Sequence, residues 1–202
     1  MPALPKAIIK PRLLIGEGDD EVFFFEALLG HLNLNDIQVE KYGGKDNLSR
    51  YLRELPNRPG YERVVMLGVT RDADADCADT FDRIRGALAA NKFPVPAACG
   101  QIVQGSPGVG VFVMPDNNRP GMLEDLCIDA VRDDPAFPCL DQYFQCMAAA
   151  GRQPGVIAKA RVHAWLAAQL EPDKRLGEAA KARYWPLDHA ALTALRDFLR
   201  IL

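Results

Sequence analysis

The sequence predicts an α/β fold: a mostly parallel sheet with helices on both faces, followed by a helical C-terminal extension. Three observations predict it. Short apolar runs alternate with longer amphipathic ones in the N-terminal part of the chain. One of those runs, Val64 to Val69, is apolar almost throughout, as a strand buried on both faces must be. Beyond Pro135 the strand pattern stops. At 202 residues, 49% of them hydrophobic, the chain can bury one core with an appendage but is short for two full domains.

In chain order, Leu13 to Ile15 form a strand, an acidic turn follows, and the run from Val22 to Leu29 reads as a helix. Asp36 to Tyr42 alternates as a second strand, closed by Gly43 and Gly44, with a helical stretch from Lys45 to about Leu55. Pro56 to Gly60 is a turn cluster. Val64 to Val69 is the third strand, and helical spacing returns from Thr80 to Ala90. The succession β-α-β-α-β-α implies right-handed parallel crossovers. A further strand or pair spans 101–104 and 109–114 across the turn Gly105 to Gly108, and a helix opens near Pro120 to carry Met122 to Val131. In the extension, Val162, Trp165, Leu166 and Leu170 recur at helical spacing. Asp188 is placed to cap a last helix whose Leu192, Leu195, Phe198 and Leu199 face inward. The division expected is an α/β core at 11–135 and a helical extension at 136–202.

Charge and cysteine content narrow the function. A net charge of −3 argues against a surface that grips nucleic acid by electrostatics alone, so such contact needs a local basic patch or bridging cations. Five cysteines without a CxxC pair read as reduced, mostly packed thiols rather than a disulfide framework or zinc site. No apolar run approaches the roughly 18 residues of a membrane span, and the proline-containing N-terminus, residues 1–14, lacks a signal peptide's apolar stretch. A cytoplasmic location without membrane attachment is expected.

Glycine-rich and calcium motifs fail on inspection. Gly16-Glu17-Gly18 lacks the third glycine of a dinucleotide fingerprint, and the segment from Gly105 to Gly110 lacks the lysine of a P-loop. Asp72, Asp74 and Asp76 have EF-hand spacing, but Cys77 replaces the required glycine and Arg83 the bidentate glutamate.

What survives is two acidic clusters, each at the end of a strand: Glu17 with Asp19, Asp20 and Glu21, and Asp72 with Asp74 and Asp76. Such strand ends form the ligand-binding edge of open α/β sheets. Taken singly, these acids also suit helix N-termini and turns. Taken together on neighbouring strands they repel, by about 4 kcal/mol for two charges about 4 Å apart at an effective dielectric near 20. The cluster must therefore splay, take up protons or hold a cation, and Mg²⁺ or Mn²⁺ suits its hard oxygen ligands.

The pattern of strand, Glu17-Gly18, trailing acid Glu21, then strand and Asp72-Ala73-Asp74 resembles the Toprim domain of topoisomerases, primases and overcoming-lysogenization-defect nucleases. A closer resemblance, to small stand-alone Toprim-like proteins, rests on Glu17 to Val22, Gly43 to Leu48, Asp72 to Asp74, and Met114 to Asp125, and continues from Lys159 to Ala167. The resemblance implies a Toprim/Rossmann-like fold, with Glu17, Asp72 and Asp74 catalytic and metal-holding. Asp76 and Glu124 would complete the metal shell, and Asp20, Glu21, Lys45, Asp116, Asp125 and Lys159 would contribute outer or substrate contacts. It implies Mg²⁺-dependent, nuclease-type processing of nucleic acid. Two other readings use the same residues: a non-catalytic module that binds nucleic acid, a nucleotide or a protein, and a small-molecule phosphohydrolase. The module is favoured by the absence, within these residues, of an accompanying ATPase, helicase or nucleolytic tyrosine domain. A homo-oligomer or a protein partner is compatible with each.

Overall fold

The computed structural model describes residues 7–202; the first six residues, part of the N-terminal stretch read above, lie outside the described residues. Five strands form one sheet in the order β2-β1-β3-β5-β4. They are β1 (Arg12–Gly16), β2 (Ile37–Lys41), β3 (Met66–Asp72), β4 (Ile102–Val103) and β5 (Gly108–Met114). All neighbours are parallel except the short edge strand β4, which runs antiparallel to β5. The helices are α1 (Asp19–His31), α2 (Leu48–Glu54), α3 (Cys77–Ala90), α4 (Leu123–Ala130), α5 (Phe137–Ala149), α6 (Ile157–Leu166), α7 (Leu176–Lys181) and α8 (Thr193–Ile201). The molecule is an α/β fold of the Toprim/Rossmann-like kind, and no helix among the described residues is long and apolar enough to cross a membrane.

The two-residue period of the strands divides the core between two faces. Leu13, Ile15, Leu67, Val69, Val109, Val111 and Val113 meet α2 and α3 through Leu48, Leu52, Phe81, Ile84 and Leu88. On the other face Leu14, Phe112 and Met114 meet α1 and the helices from α4 onward, including Trp165, Trp185, Leu195 and Phe198. The residues beyond 135 therefore pack into the same apolar layer as α1.

Two glycines make that layer fit. Gly68 and Gly110 are register partners on β3 and β5, and the missing side chains leave a trough for the end of the chain. A Cβ on Gly68 would lie 2.6 Å from Leu202 Cδ2, and one on Gly110 would lie 2.9 Å from Phe198 Cε2. The inward residues expected of the last helix, Leu192, Leu195, Phe198 and Leu199, are all buried.

Several local expectations are corrected. Strand β3 runs through Asp72, so Arg71 and Asp72 belong to the strand rather than the turn, and α3 begins at Cys77. Helix α6 ends at Leu166 with two turn hydrogen bonds beyond it, which carries Leu170 off the stripe to 92% exposure. Asp188 does not cap the last helix, which starts after Leu192 without a side-chain cap; His189 instead caps the 3-10 turn Ala190–Leu192 before it, its Nδ1 accepting from Ala191 N at 3.1 Å, while Asp188 pairs with His31. Of the five free thiols, Cys77 and Cys127 are buried, but Cys139 and Cys146 lie exposed on α5.

If the glycine trough sets the seat of α8, Gly110→Val destabilises the fold by about 1–3 kcal/mol through overpacking against Phe198, read by urea denaturation. A loss below about 0.5 kcal/mol, the range of ordinary surface substitutions, would show that α8 is not held there.

Candidate active site

The carboxyl ends of β1 and β3 are adjacent, with Ile15 paired to Val69 and the two strands running in one direction. Glu17 follows β1 and Asp72 ends β3, so the two acidic clusters meet at one edge of the sheet. Three contacts, from two loops, lock them there.

The first is made by the β2–α2 turn. Gly43 N–H and Gly44 N–H both donate to the Glu17 carbonyl, at 3.0 and 3.1 Å, and both glycines hold positive φ, at 82° and 105°. Such angles are open to glycine at no steric cost. These two N–H groups are thereby committed to the chain itself. The turn places Lys45 beside Asp74, to whose Oδ2 its ammonium donates.

The second lock is the bridge between Asp74 and Gly121, two backbone hydrogen bonds of 2.9 Å. Asp74 adopts φ 53°, in the left-handed region that aspartate tolerates better than most residues. The third runs from the start of α4: Leu123 N–H donates to Asp72 Oδ1 at 2.9 Å. Together these two locks explain the long Met114–Asp125 segment. It folds back so that Gly121 clasps one aspartate and the α4 N-terminus receives the other.

The predicted site residues separate into two groups. Glu17, Glu21, Asp72, Asp74 and Glu124 are electrostatic neighbours at this sheet edge: Asp74 acts on Glu17, Glu17 and Glu124 act on Glu21, and Glu21, Glu124 and Glu17 act on Asp72. Lys159, on α6, reaches Glu124 at 3.5 Å and closes the far wall. The others serve the frame. Asp76 caps α3 by accepting from Asp79 N at 2.9 Å, and Asp125 caps α4 by accepting from Met122 N at 2.9 Å. Asp20 turns to α7, where Arg175 donates to it at 2.9 Å and Gly177 N at 3.3 Å. Asp116 shapes a turn by accepting from Asn118 N and Arg119 N, at 3.0 and 3.1 Å, and pairs with the Arg119 side chain.

Two residues the sequence reading did not place belong to the site. Arg71 makes no ion pair with Asp72; among the described residues its Nε is buried without a hydrogen-bond partner, and its charge lowers the Glu17 pKa. Tyr42 is buried behind Glu17, donating its hydroxyl to the Thr70 carbonyl at 3.1 Å. Burial pushes its pKa up, and the neighbouring Glu17 adds to the shift. Arg71 could have been suspected from its position in a strand end, but Tyr42 reads in sequence only as an apolar strand residue.

The carboxyls ionise at a cost. Burial raises the Asp72 pKa well above the carboxylate range, and the charges of Glu21, Glu124 and Glu17 add to it; the hydrogen bond from Leu123 N–H opposes. Burial also raises Glu17, with Asp74 adding and Lys45, Arg71 and Lys159 opposing. Glu21 is raised by burial and by Glu17 and Glu124, against its hydrogen bond from Gly18 N. Glu17 Oε2 is buried without a hydrogen-bond partner.

This donor set fits a hard divalent cation in kind: carboxylate oxygens only, one of them orphaned, and Asp72 bound through one oxygen with the other left over. It is not closed into a coordination shell, because no three His, Cys, Asp or Glu side chains among the described residues lie close enough to hold a metal ion. Lys45 and Lys159 stand against Asp74 and Glu124 instead.

The family model for proteins of unknown function DUF3226 matches residues 11–202. The chain belongs to that family. Among solved structures it is similar to the C-terminal region of the Xanthomonas campestris pv. campestris OLD protein. The platinum-phased structure gives a TM-score of 0.50 at 16% identity, over 95% of this chain and 93% of that chain. The iodine-phased structure gives 0.45 at 16% identity, over 95% of each chain. No curated protein matches. At this identity the likeness is one of fold alone.

The raised carboxyl pKa values carry a pH dependence whose sign is fixed. A carboxyl whose pKa is higher folded than unfolded adds stability that is full below its unfolded pKa, about 4, and is lost as pH rises through the folded value. Asp72→Asn keeps the acceptor for Leu123 N–H and removes the charge. It should raise the melting temperature in metal-free neutral buffer, with the gain shrinking toward about pH 4. An unchanged or lower midpoint at neutral pH would show that Asp72 ionises there without penalty.

Proposed function

We propose that this protein is a divalent-cation-dependent enzyme that processes phosphodiesters in nucleic acid, as a nuclease-type Toprim protein. The observation that carries the reading is Asp72: a half-buried strand-end carboxyl held at Oδ1 by Leu123 N–H, its pKa raised by burial and by three neighbouring acids, on the same sheet edge as Glu17, whose Oε2 is buried with no hydrogen-bond partner among the described residues. A buried cluster of this kind is relieved by protons or by a hard cation. Glu17, Asp72, Asp74 and Glu124 would hold the ion, with Glu21 behind them. Bound there, Mg²⁺ or Mn²⁺ would supply charge neutralisation on the phosphate and an activated water.

The chain's own residues do the remaining work in this reading. Asp74 is held through its main chain by the Gly121 bridge, and Asp72 through its side-chain Oδ1 by Leu123 N–H. Lys45 covers Asp74 until an ion displaces it, and Arg71 and Lys159 offer positive charge to a phosphate at the two sides. The similarity to the OLD C-terminal region agrees with a nuclease-related role at the level of fold.

A second reading, a non-catalytic module binding nucleic acid, a nucleotide or a protein, is favoured by one observation. Two lysines already neutralise two of the carboxyls, and the rest do not close up around an ion. A small-molecule phosphohydrolase would use the same groups.

The readings part in one experiment. Mn²⁺ at a hundred times its Kd should stabilise the wild type by about 2.7 kcal/mol in thermal unfolding. Asp72→Asn with Asp74→Asn should remove both that stabilisation and Mn²⁺-dependent cleavage of a panel of DNA and RNA substrates. Lys45→Met should lower the Mn²⁺ concentration needed for half-maximal stabilisation. Cleavage unchanged in the double variant would rule the site out. No stabilisation by Mn²⁺ would leave the binding module, and turnover confined to phosphomonoesters would favour the phosphohydrolase.

A further inference from the structure

A second feature adjoins the acidic site and takes no part in it. Helices α5 and α6 enclose an open groove of about 740 Å³, lined by Tyr143, Phe144 and Met147 on one side, His163 and Ala164 on the other, and Arg152 at the turn. Tyr143 is 51% exposed, and its ring stands edge-on to Phe144, with centroids 5.0 Å apart and planes at 82°. An exposed aromatic ring braced by a second ring is a ready stacking surface.

The charge around this groove runs opposite to the rest of the molecule. The chain carries a net charge of −3, yet residues 142–170 contain neither aspartate nor glutamate and include Arg152, Lys159, Arg161 and His163. The one acid of α5, Asp141, is paired with Arg161. Arg152 is exposed and, among the described residues, makes no ion pair. The groove lining is thus aromatic and free of acids, with Arg152 and His163 as its basic side chains, a combination that suits single-stranded nucleic acid: rings stack on bases and a cation meets the backbone.

Its position links it to the site. Lys159 reaches Glu124 at 3.5 Å, and His163 lies four residues further along the same helix, about 6 Å away along its axis and on the same face. A strand lying across the carboxylates would pass Lys159 and enter the groove directly.

We propose that the α5–α6 groove binds the single-stranded segment next to the phosphate at the acidic site, with a base stacked on Tyr143 and a backbone phosphate at Arg152. This deepens the phosphodiester reading and rests on it. An apolar peptide or a second copy of the chain is the rival occupant; the acid-free lining, with Arg152 at the turn, favours the polyanion.

The test is binding of a fluorescein-labelled single-stranded oligonucleotide to the full chain, by anisotropy, with Ca²⁺ in place of Mn²⁺. Tyr143→Ala should weaken binding by about 5- to 150-fold, equivalent to one base stack of about 1–3 kcal/mol, whereas Tyr143→Phe should bind as wild type. Arg152→Gln should reduce the slope of log Kd against log salt by about 0.7. Mn²⁺-induced stabilisation, measured on the same variants, should stay at the wild-type value. Equal binding by wild type and Tyr143→Ala overturns the groove proposal and leaves the acidic site standing. The same holds if Tyr143→Ala alters only self-association or peptide binding, or if wild type responds to Mn²⁺ but binds no oligonucleotide. Failure of wild type to respond to either Mn²⁺ or the oligonucleotide overturns both readings.

Discussion

The hydrogen bond from Leu123 N–H to Asp72 is the constraint on which the rest of the edge depends. It joins the last residue of β3 to the first turn of α4, although 51 residues separate them in sequence. With the bridge from Gly121 to Asp74 beside it, and with Leu123, Leu126 and Cys127 buried in the core, it fixes how the β5–α4 loop folds back over the sheet. That fold sets Glu124, the partner of Lys159, in the cluster. One N–H on one carboxylate therefore couples a strand end, a helix start and the helical layer. A charge-assisted bond of this kind is among the stronger a backbone donor can make. It also explains why Asp72 remains an acceptor even though its pKa is raised.

The charge arrangement around that bond is unbalanced by design of the fold rather than by accident of one residue. Five carboxyls face Lys45, Arg71 and Lys159, and the deepest of them are the least neutralised. Lys45 and Lys159 engage Asp74 and Glu124, while Glu17 Oε2 is buried with no hydrogen-bond partner among the described residues. Burying charge without full pairing costs stability. Chains retain such a cost where a ligand repays it, and for carboxylates that ligand is a cation or a proton.

The architecture was legible in the sequence because period and punctuation agreed. The buried run ending β3, the glycine pair after β2 and the inward face of α8 each show the expected spacing. The convergence of Glu17 with Asp72 followed from the parallel order of the strands. What was not legible were the choices between equivalent neighbours. Glu124 and Asp125 are adjacent acids at a helix start, and only the loop geometry decides that one faces the pocket while the other caps the helix. Asp76 looks like a ligand by spacing, but α3 begins one residue later and claims it as a cap. Leu170 continued the stripe on paper, yet the helix ended before reaching it. Arg71 and Tyr42 depend on register and on which face of a strand points toward the site, which a single sequence leaves open.

The central claim is that separate segments bring their carboxyls to one place in order to hold a hard cation. The direct measurement is anomalous diffraction from crystals soaked in Mn²⁺. The account predicts a peak bounded by Glu17, Asp72 and Asp74, with the Lys45 ammonium withdrawn from Asp74. A structure with Lys45 still on Asp74 and no anomalous density between these carboxyls, at a Mn²⁺ concentration that saturates any effect in solution, would contradict it.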